Sequence, residues 1–191
     1  MNRLTLLAVG VVLALLAAVA GCGGDARKPS AVGEEIATGD LALTVLEAHL
    51  GDPNEDGTVP IEVTIRLGNM RDEPTAYAIW PDFSMLSQGK DIDVGVDIFA
   101  GLLEDDAPDY LDDGVLAPGR SVEGPISFNV PSGMRELSLS YSPGLSKLLE
   151  EEGGILGVAE QAAEGEGSVG DLRRKFERLQ TYEVDLKLDV P

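Results

Sequence analysis

Residues 58–68, TVPIEVTIRLG, constrain this chain more than any other stretch. Val59, Ile61, Val63, Ile65 and Leu67 take every second position, and Pro60, Glu62, Thr64 and Arg66 fill the gaps. Side chains alternate faces along a β-strand, so this is a strand with one buried face and one polar face. A helix would scatter the same five residues around its circumference. Pro60, near the beginning, suits the start of a strand or an edge. The end of the chain repeats the pattern: Tyr182, Val184, Leu186, Leu188 and Val190 alternate with Glu183, Asp185, Lys187 and Asp189.

Further short strands are expected at 41–50, 75–80, 82–87, 92–99, 121–130 and 136–142, with turn residues between them. Many short strands of this kind read as a sandwich or barrel. Pro118-Gly119 is a tight turn, because Pro presets φ and Gly accepts a positive one. Phe128 and Val130 alternate into the core, and Pro131 stops the strand by removing a ladder donor. Residues 143–180 break the pattern. Ser168 and Asp171 form a capping box, and Leu172, Phe176 and Leu179 follow at helical spacing. The expectation is an all-β, immunoglobulin-like β-sandwich with a short helical insertion at about 144–180, before the last strand.

The start of the chain is of another kind. Arg3 is followed by an uncharged run from Leu4 to Ala20, LTLLAVGVVLALLAAVA. A basic n-region, an apolar h-region and small residues after it form a secretory signal. A retained membrane helix is the alternative, at the lower limit of length. Val19-Ala20-Gly21-Cys22 resembles the lipobox of bacterial lipoproteins. The resemblance implies cleavage before Cys22, diacylation of its thiol and often an acyl chain, such as palmitate, on the new amino terminus. The chain then divides into a signal peptide (1–21), a tether (22–39) and a sandwich domain (40–191). The expected place is the extracytoplasmic face of the cell membrane. Cys22 is the single cysteine, so no disulfide forms within the chain and stability rests on a core.

The net charge is −20 at pH 7. Nucleic acid and anionic lipid repel such a chain, so neither is an electrostatic partner. Acyl chains hold a protein to a bilayer without basic residues.

From Ile61 to Tyr141 the order of features resembles the telokin-like, immunoglobulin-fold envelope domains, a bacterial group mostly of unknown function and often carried by lipoproteins. The pieces are VTIRLGN, ending at Asn69; DEPTAY; PDFSMLSQGK (81–90); LAPGRSVEGPISFNVPSG (116–133); and ELSLSY. The resemblance implies a two-sheet sandwich and supplies no catalytic residues. The interval 143–180 departs from the group's pattern and leaves the place of the last strand open.

Two acidic stretches carry candidate chemistry. In GDPNEDGTVPIE (51–62), Asp52, Asn54, Asp56 and Gly57 fit the opening of a calcium loop. Thr58 would lend its carbonyl. The bidentate carboxylate belongs at position 63, however, and Glu62 stands one residue short, so Ca2+ binding would need an outside ligand. The alternative is a polar hairpin loop whose Asp, Asn and Gly serve turn geometry. LEDDAPDYLDDG (103–114) is either a weak divalent-cation cluster or a solvated loop. Arg173, Arg174, Lys175 and Arg178 either face lipid headgroups or pair with acidic loops.

His49 is the single histidine, so no His pair binds a metal and a Ser-His-Asp device would have to use it. Trp80 reads as a core or rim aromatic. No nucleophile elbow, phosphate loop, CxxC or HExxH occurs. The function expected is a non-enzymatic, lipid-anchored sandwich that binds another protein or an envelope component through its loops, with calcium-dependent binding as the alternative.

Overall fold

The computed structural model describes residues 29–95, 109–145, 147 and 179–190. The alternating segment becomes β4 (Thr58–Asn69), with Val59, Ile61, Val63, Ile65 and Leu67 fully buried. It is a central strand. β3 (Leu41–Leu50) pairs antiparallel on one side and β9 (Ser121–Pro131) on the other. Pro60 is tolerated there for a reason of register. Its carbonyl accepts from Gly51 N at 2.8 Å, so its missing N–H also faces the β3 side. The β3 ladder ends at the pair Leu50–Ile61, so the one bond that Pro60 cannot return falls at the end of the ladder and not within it.

β2 (Glu35–Ala37) adds to the outer edge of β3 and completes a four-stranded sheet. The facing sheet runs β1 (Ser30–Ala31), β11 (Tyr182–Leu188), β10 (Leu137–Tyr141), β6 (Phe83–Ser87) and β7 (Lys90–Gly95). A two-stranded ribbon of β5 (Thr75–Tyr77) and β8 (Gly114–Leu116) completes the strands. The inner faces share one apolar cluster, in which Tyr141 stacks on Phe83 with centroids 4.4 Å apart. Burying five aliphatic side chains on β4 alone contributes on the order of 10 kcal/mol of gross hydrophobic free energy. The all-β sandwich is as expected.

Val45-Leu46 breaks the period of two in β3, and the structure absorbs it as a bulge. The register shifts between Val45 and Glu47. Before the shift Leu41, Leu43 and Val45 point inward; after it Ala48 does, opposite Val63.

Of the tether expected over 22–39, residues 30–37 are strand and turn. Ser30 and Ala31 pair parallel with Val184 and Asp185 in one sheet, and Glu35–Ala37 pair antiparallel with β3 in the other. A turn joins them: Gly33 takes φ +87° and donates to Val45 O at 2.8 Å, and Glu34 N donates to Ala31 O. This strap crosses from sheet to sheet and ties both at one side. Residues 1–28, with the signal segment and Cys22, lie outside the described residues.

The helices expected over 144–180 are not supported. Helical backbone is described at Leu145 and Lys147, and 146 and 148–178 lie outside the described residues. The place of the last strand is clear nonetheless. Tyr182 pairs with Tyr141, and Ser142 Oγ stands 3.0 Å from Thr181 Oγ1. The chain therefore leaves β10 and returns to β11 at one point, and the intervening residues are an excursion from an antiparallel pair. The strand expected at 92–99 is described as β7 to Gly95, and that expected at 75–80 ends at Tyr77.

Ile65→Ala is expected to cost about 2–5 kcal/mol in urea unfolding, as for other large-to-small core changes. Arg66→Ala, next to it but on the outer face in a half-exposed pair with Glu123 at 2.7 Å, is expected to cost at most about 1 kcal/mol. Similar losses from the two would overturn the assignment of faces.

Candidate functional site

The sandwich has two distinct ends. At one, the β3–β4 hairpin (51–57) meets the turns at 88–89 and 132–136; we call this the hairpin end. At the other lie the ribbon, the turns at 38–40 and 117–120, and the point where the excursion opens; we call this the ribbon end.

The candidate calcium residues sit at the hairpin end, in a loop fastened to itself. Asp56 Oδ1 accepts from Thr58 N at 2.9 Å and from Thr58 Oγ1 at 2.6 Å, the geometry of an Asx turn. Asn54 N donates to Thr58 O at 2.8 Å, and Asn54 Nδ2 donates to Thr58 Oγ1 at 3.0 Å and Asn129 Oδ1 at 3.3 Å. Gly57 takes φ +83°, and its carbonyl accepts from Ser132 N and Oγ. The side-chain hydrogen bond from Thr58, with the backbone one, holds the Asp56 carboxyl below the usual range. Asp52 is exposed on the same loop.

Glu62 is not brought to this loop. It lies four residues along β4 from Thr58, about 13 Å at strand rise, opposite His49 and Ser127. It is too far to share a cation with Asp56, whose ligands would stand within about 2.6 Å of the ion. Among the described residues no group of three or more His, Cys, Asp or Glu is placed to hold a metal ion. What the structure assembles from Asn54, Asp56 and Thr58 is a turn.

The second acidic stretch lies elsewhere; residues 103–108 are outside the described residues. Leu111 N donates to Pro125 O, and Asp113 Oδ1 accepts from Ile79 N at 2.6 Å. Pro125 is six residues along β9 from Pro131, the partner of Thr58, or about 20 Å. The described part of this stretch, 109–114, is therefore not joined to the 51–62 loop in one site. Asp113 instead helps seat the ribbon. Burial raises the Tyr77 pKa, and Asp113 and Asp112 add to the shift. Gly114 leaves room for it, since a Cβ there would stand 2.7 Å from Tyr77 Oη and displace the ring.

The residue that organises the ribbon end is Asn69, at the end of β4. It is buried and uses its whole amide. Nδ2 donates to Glu73 O at 2.8 Å and Leu116 O at 2.9 Å; Oδ1 accepts from Arg71 N at 2.8 Å and Thr75 Oγ1 at 3.0 Å. One side chain thus joins β4, the loop after it, β5 and β8. Its signal in the sequence was an Asn closing an apolar strand. Arg71 reaches Asp40 at 3.1 Å and also pairs with Glu73. The Pro118-Gly119 turn forms as expected, with Arg120 N on Ala117 O at 3.0 Å and Gly119 at φ +65°.

Trp80 is a rim residue of the ribbon end, 44% exposed, and its bond to Pro81 is cis. His49 is exposed on β3, its Nε2 3.2 Å from Glu47 Oε2.

Fold and ends together define a two-sheet β-sandwich domain whose loops gather at opposite poles. The chain belongs to the family of the domain of unknown function DUF4352, whose model matches residues 30–148. The match begins at the first residue of β1. Among solved structures the chain is similar to a candidate lipoprotein of Bacillus subtilis, YcdA, at 15% identity and a TM-score of 0.47. The likeness covers 81% of this chain and 39% of that one, so the chain spans well under half of YcdA. It is also similar to the YjhA protein of Bacillus subtilis, at 18% identity over 82% of this chain and 98% of that one, with a TM-score of 0.47. A third likeness is to an uncharacterized β-sandwich protein of Clostridium difficile, at 13% identity over 63% and 92% of the two chains, with a TM-score of 0.39. Among curated proteins no relative matches.

Asn69→Asp keeps the shape but turns two donated hydrogen bonds into contacts between a carboxylate and carbonyls. It is expected to cost about 3 kcal/mol or more in urea unfolding, with Asn69→Ala costing less than Asn69→Asp. At the hairpin end, the Asp56 carboxyl is expected to titrate below 3.8 by NMR, and Thr58→Ala to raise its midpoint. Because the folded value is the lower one, Asp56 contributes stability above its ordinary pKa and loses it as pH falls through the depressed value. Millimolar calcium is expected to leave Tm unmoved, whereas a saturable rise abolished by Asp56→Ala would restore the metal reading.

Proposed function

We propose that the protein is a bacterial lipoprotein: a non-enzymatic, telokin-like, immunoglobulin-like sandwich held by an acylated Cys22 on the extracytoplasmic face of the membrane. It binds another protein or an envelope component through its loops. The observation that carries this reading is Val19-Ala20-Gly21-Cys22, which closes the uncharged run Leu4–Ala20 and puts its cysteine eight residues before the first strand. Three features support it. A cysteine between small residues, ahead of the folded domain, is placed for modification and not for packing. A net charge of −20 disfavours electrostatic attachment to anionic lipid, so a covalent anchor supplies what the surface does not. Asn54, Asp56 and Thr58 at one pole and Asn69 and Asp113 at the other are engaged in turns and strand connections, an arrangement suited to presenting a surface.

Mass spectrometry of the protein from membranes of a bacterial host is expected to show a mature chain beginning at Cys22 with a diacylglyceryl group on its sulfur. Cys22→Ser is expected to move the protein from the membrane to the soluble or secreted fraction. A free thiol at Cys22, or a Cys22→Ser protein that still fractionates with membranes, would overturn the reading.

A further inference from the structure

We propose that the ribbon end of the sandwich faces the bilayer and rests on it through Trp80 and Met70, with Val115 at the same end, so that the hairpin end points away. This rests on the acylation of Cys22 proposed above and adds the orientation of the domain. The first argument is direction. β1 runs parallel to β11, with Ser30 opposite Val184 and Ala31 opposite Asp185. β11 begins at Tyr182, beside Tyr141 and the opening of the excursion. Going backward from Ser30, the chain therefore heads for the ribbon end.

The second argument is length. Ser30 follows Cys22 by eight residues, which span at most about 29 Å when fully extended. β4, with 12 residues, is about 40 Å long at strand rise. A domain standing on its hairpin end would need those eight residues to reverse at Ser30. They would then have to run back beside β11, about 13 Å from Val184 to Leu188, before reaching lipid. Standing on the ribbon end, those eight residues need only continue in the direction that β1 sets.

The third argument is the surface found at that end. Among the described residues the large apolar side chains left exposed are Val32, Leu50, Met70, Trp80 and Val115. Val32 lies in the strap turn and Leu50 at the hairpin end. The other three belong to connections of the ribbon end: Met70 directly after β4, Trp80 three residues before β6, and Val115 on β8. They are 56%, 44% and 67% exposed. Tryptophan with an apolar body and an N–H donor is the residue best suited to headgroup depth. Arg71 pairs with both Asp40 and Glu73 at the same end and offsets one of their two charges, which lowers the cost of bringing it to a surface.

Trp80 is the one tryptophan of the chain and therefore reports on its own surroundings. The acylated protein, purified with its anchor and checked by mass, is reconstituted into phosphatidylcholine vesicles whose lipids carry bromine near the headgroup end of one acyl chain. Trp80 emission is expected to fall about twofold relative to unbrominated vesicles, as for an indole at the interface. The reporter is then moved to the hairpin end by Trp80→Phe with Glu55→Trp, and there the bromine is expected to have no effect. An acylated protein whose Trp80 is unquenched overturns the orientation alone. Equal quenching at positions 80 and 55 also overturns it. A protein found unacylated overturns the anchor and the orientation with it.

Discussion

The sandwich depends on one strand being polar and apolar by turns. β4 presents five aliphatic residues inward and exchanges hydrogen bonds with a partner on each side. A one-residue slip against either neighbour would turn that whole set outward, so the pattern that buries the strand also holds its register. β3 and β9 are ordered by that register. The bulge in β3 is the one place where it shifts, and it returns Ala48 to the inner face.

The facing sheet has no strand of comparable length and is held at its margins. β10 has five residues and β6 has five. What fixes this sheet over the other is connection. The strap places β1 beside β11 and β2 beside β3 within eight residues, Ser30–Ala37. At the hairpin end, Val190 N donates to Met134 O at 2.8 Å and Glu136 N to Asp189 Oδ1 at 3.0 Å, which closes the last strand onto the β9–β10 turn. A chain without a disulfide thus uses main-chain bonds at its edges where a cross-link would otherwise serve.

What was legible in the sequence follows from this division. Alternation over seven or more residues marks burial on one face and was readable in β4, β9 and β11. β1, β2 and β8 have two or three residues each, too few to show any period. Their pairing is decided by neighbours far along the chain, so Ser30–Ala37 read as a tether and Gly114–Leu116 fell between the expected strands. The same holds for the candidate site. Asp52, Asn54, Asp56 and Gly57 share their residue types with a calcium loop because both need oxygens and a glycine at a tight bend. The strand that follows carries Glu62 away, and only the pairing of β4 with β3 shows how far. Asn69 was visible as a strand terminator. Its four hydrogen bonds were not, because their partners at 71, 73, 75 and 116 come together only in the fold.

The two poles differ in how they are held, and that difference bears on what each can do. At the hairpin end, local bonds inside 54–58 close the loop, with Ser132 and Asn129 as its neighbours. Substitutions there disturb one turn. At the ribbon end, Asn69 and Asp113 each hold chain segments that are remote in sequence, and both lie at or near the cluster containing Ile79 and Leu116. A fully bonded buried amide specifies one arrangement of the segments it joins. The connections bearing Met70 and Trp80 are therefore set by the same contacts that seat the ribbon. A surface meant to lie against a bilayer needs such rigidity, because a fixed tilt is kept only if the contacting residues do not move independently of the domain. A surface meant to vary in what it binds needs the opposite, and a change in the hairpin loop disturbs one turn and its bonds to Asn129 and Ser132 without moving the register of the sandwich.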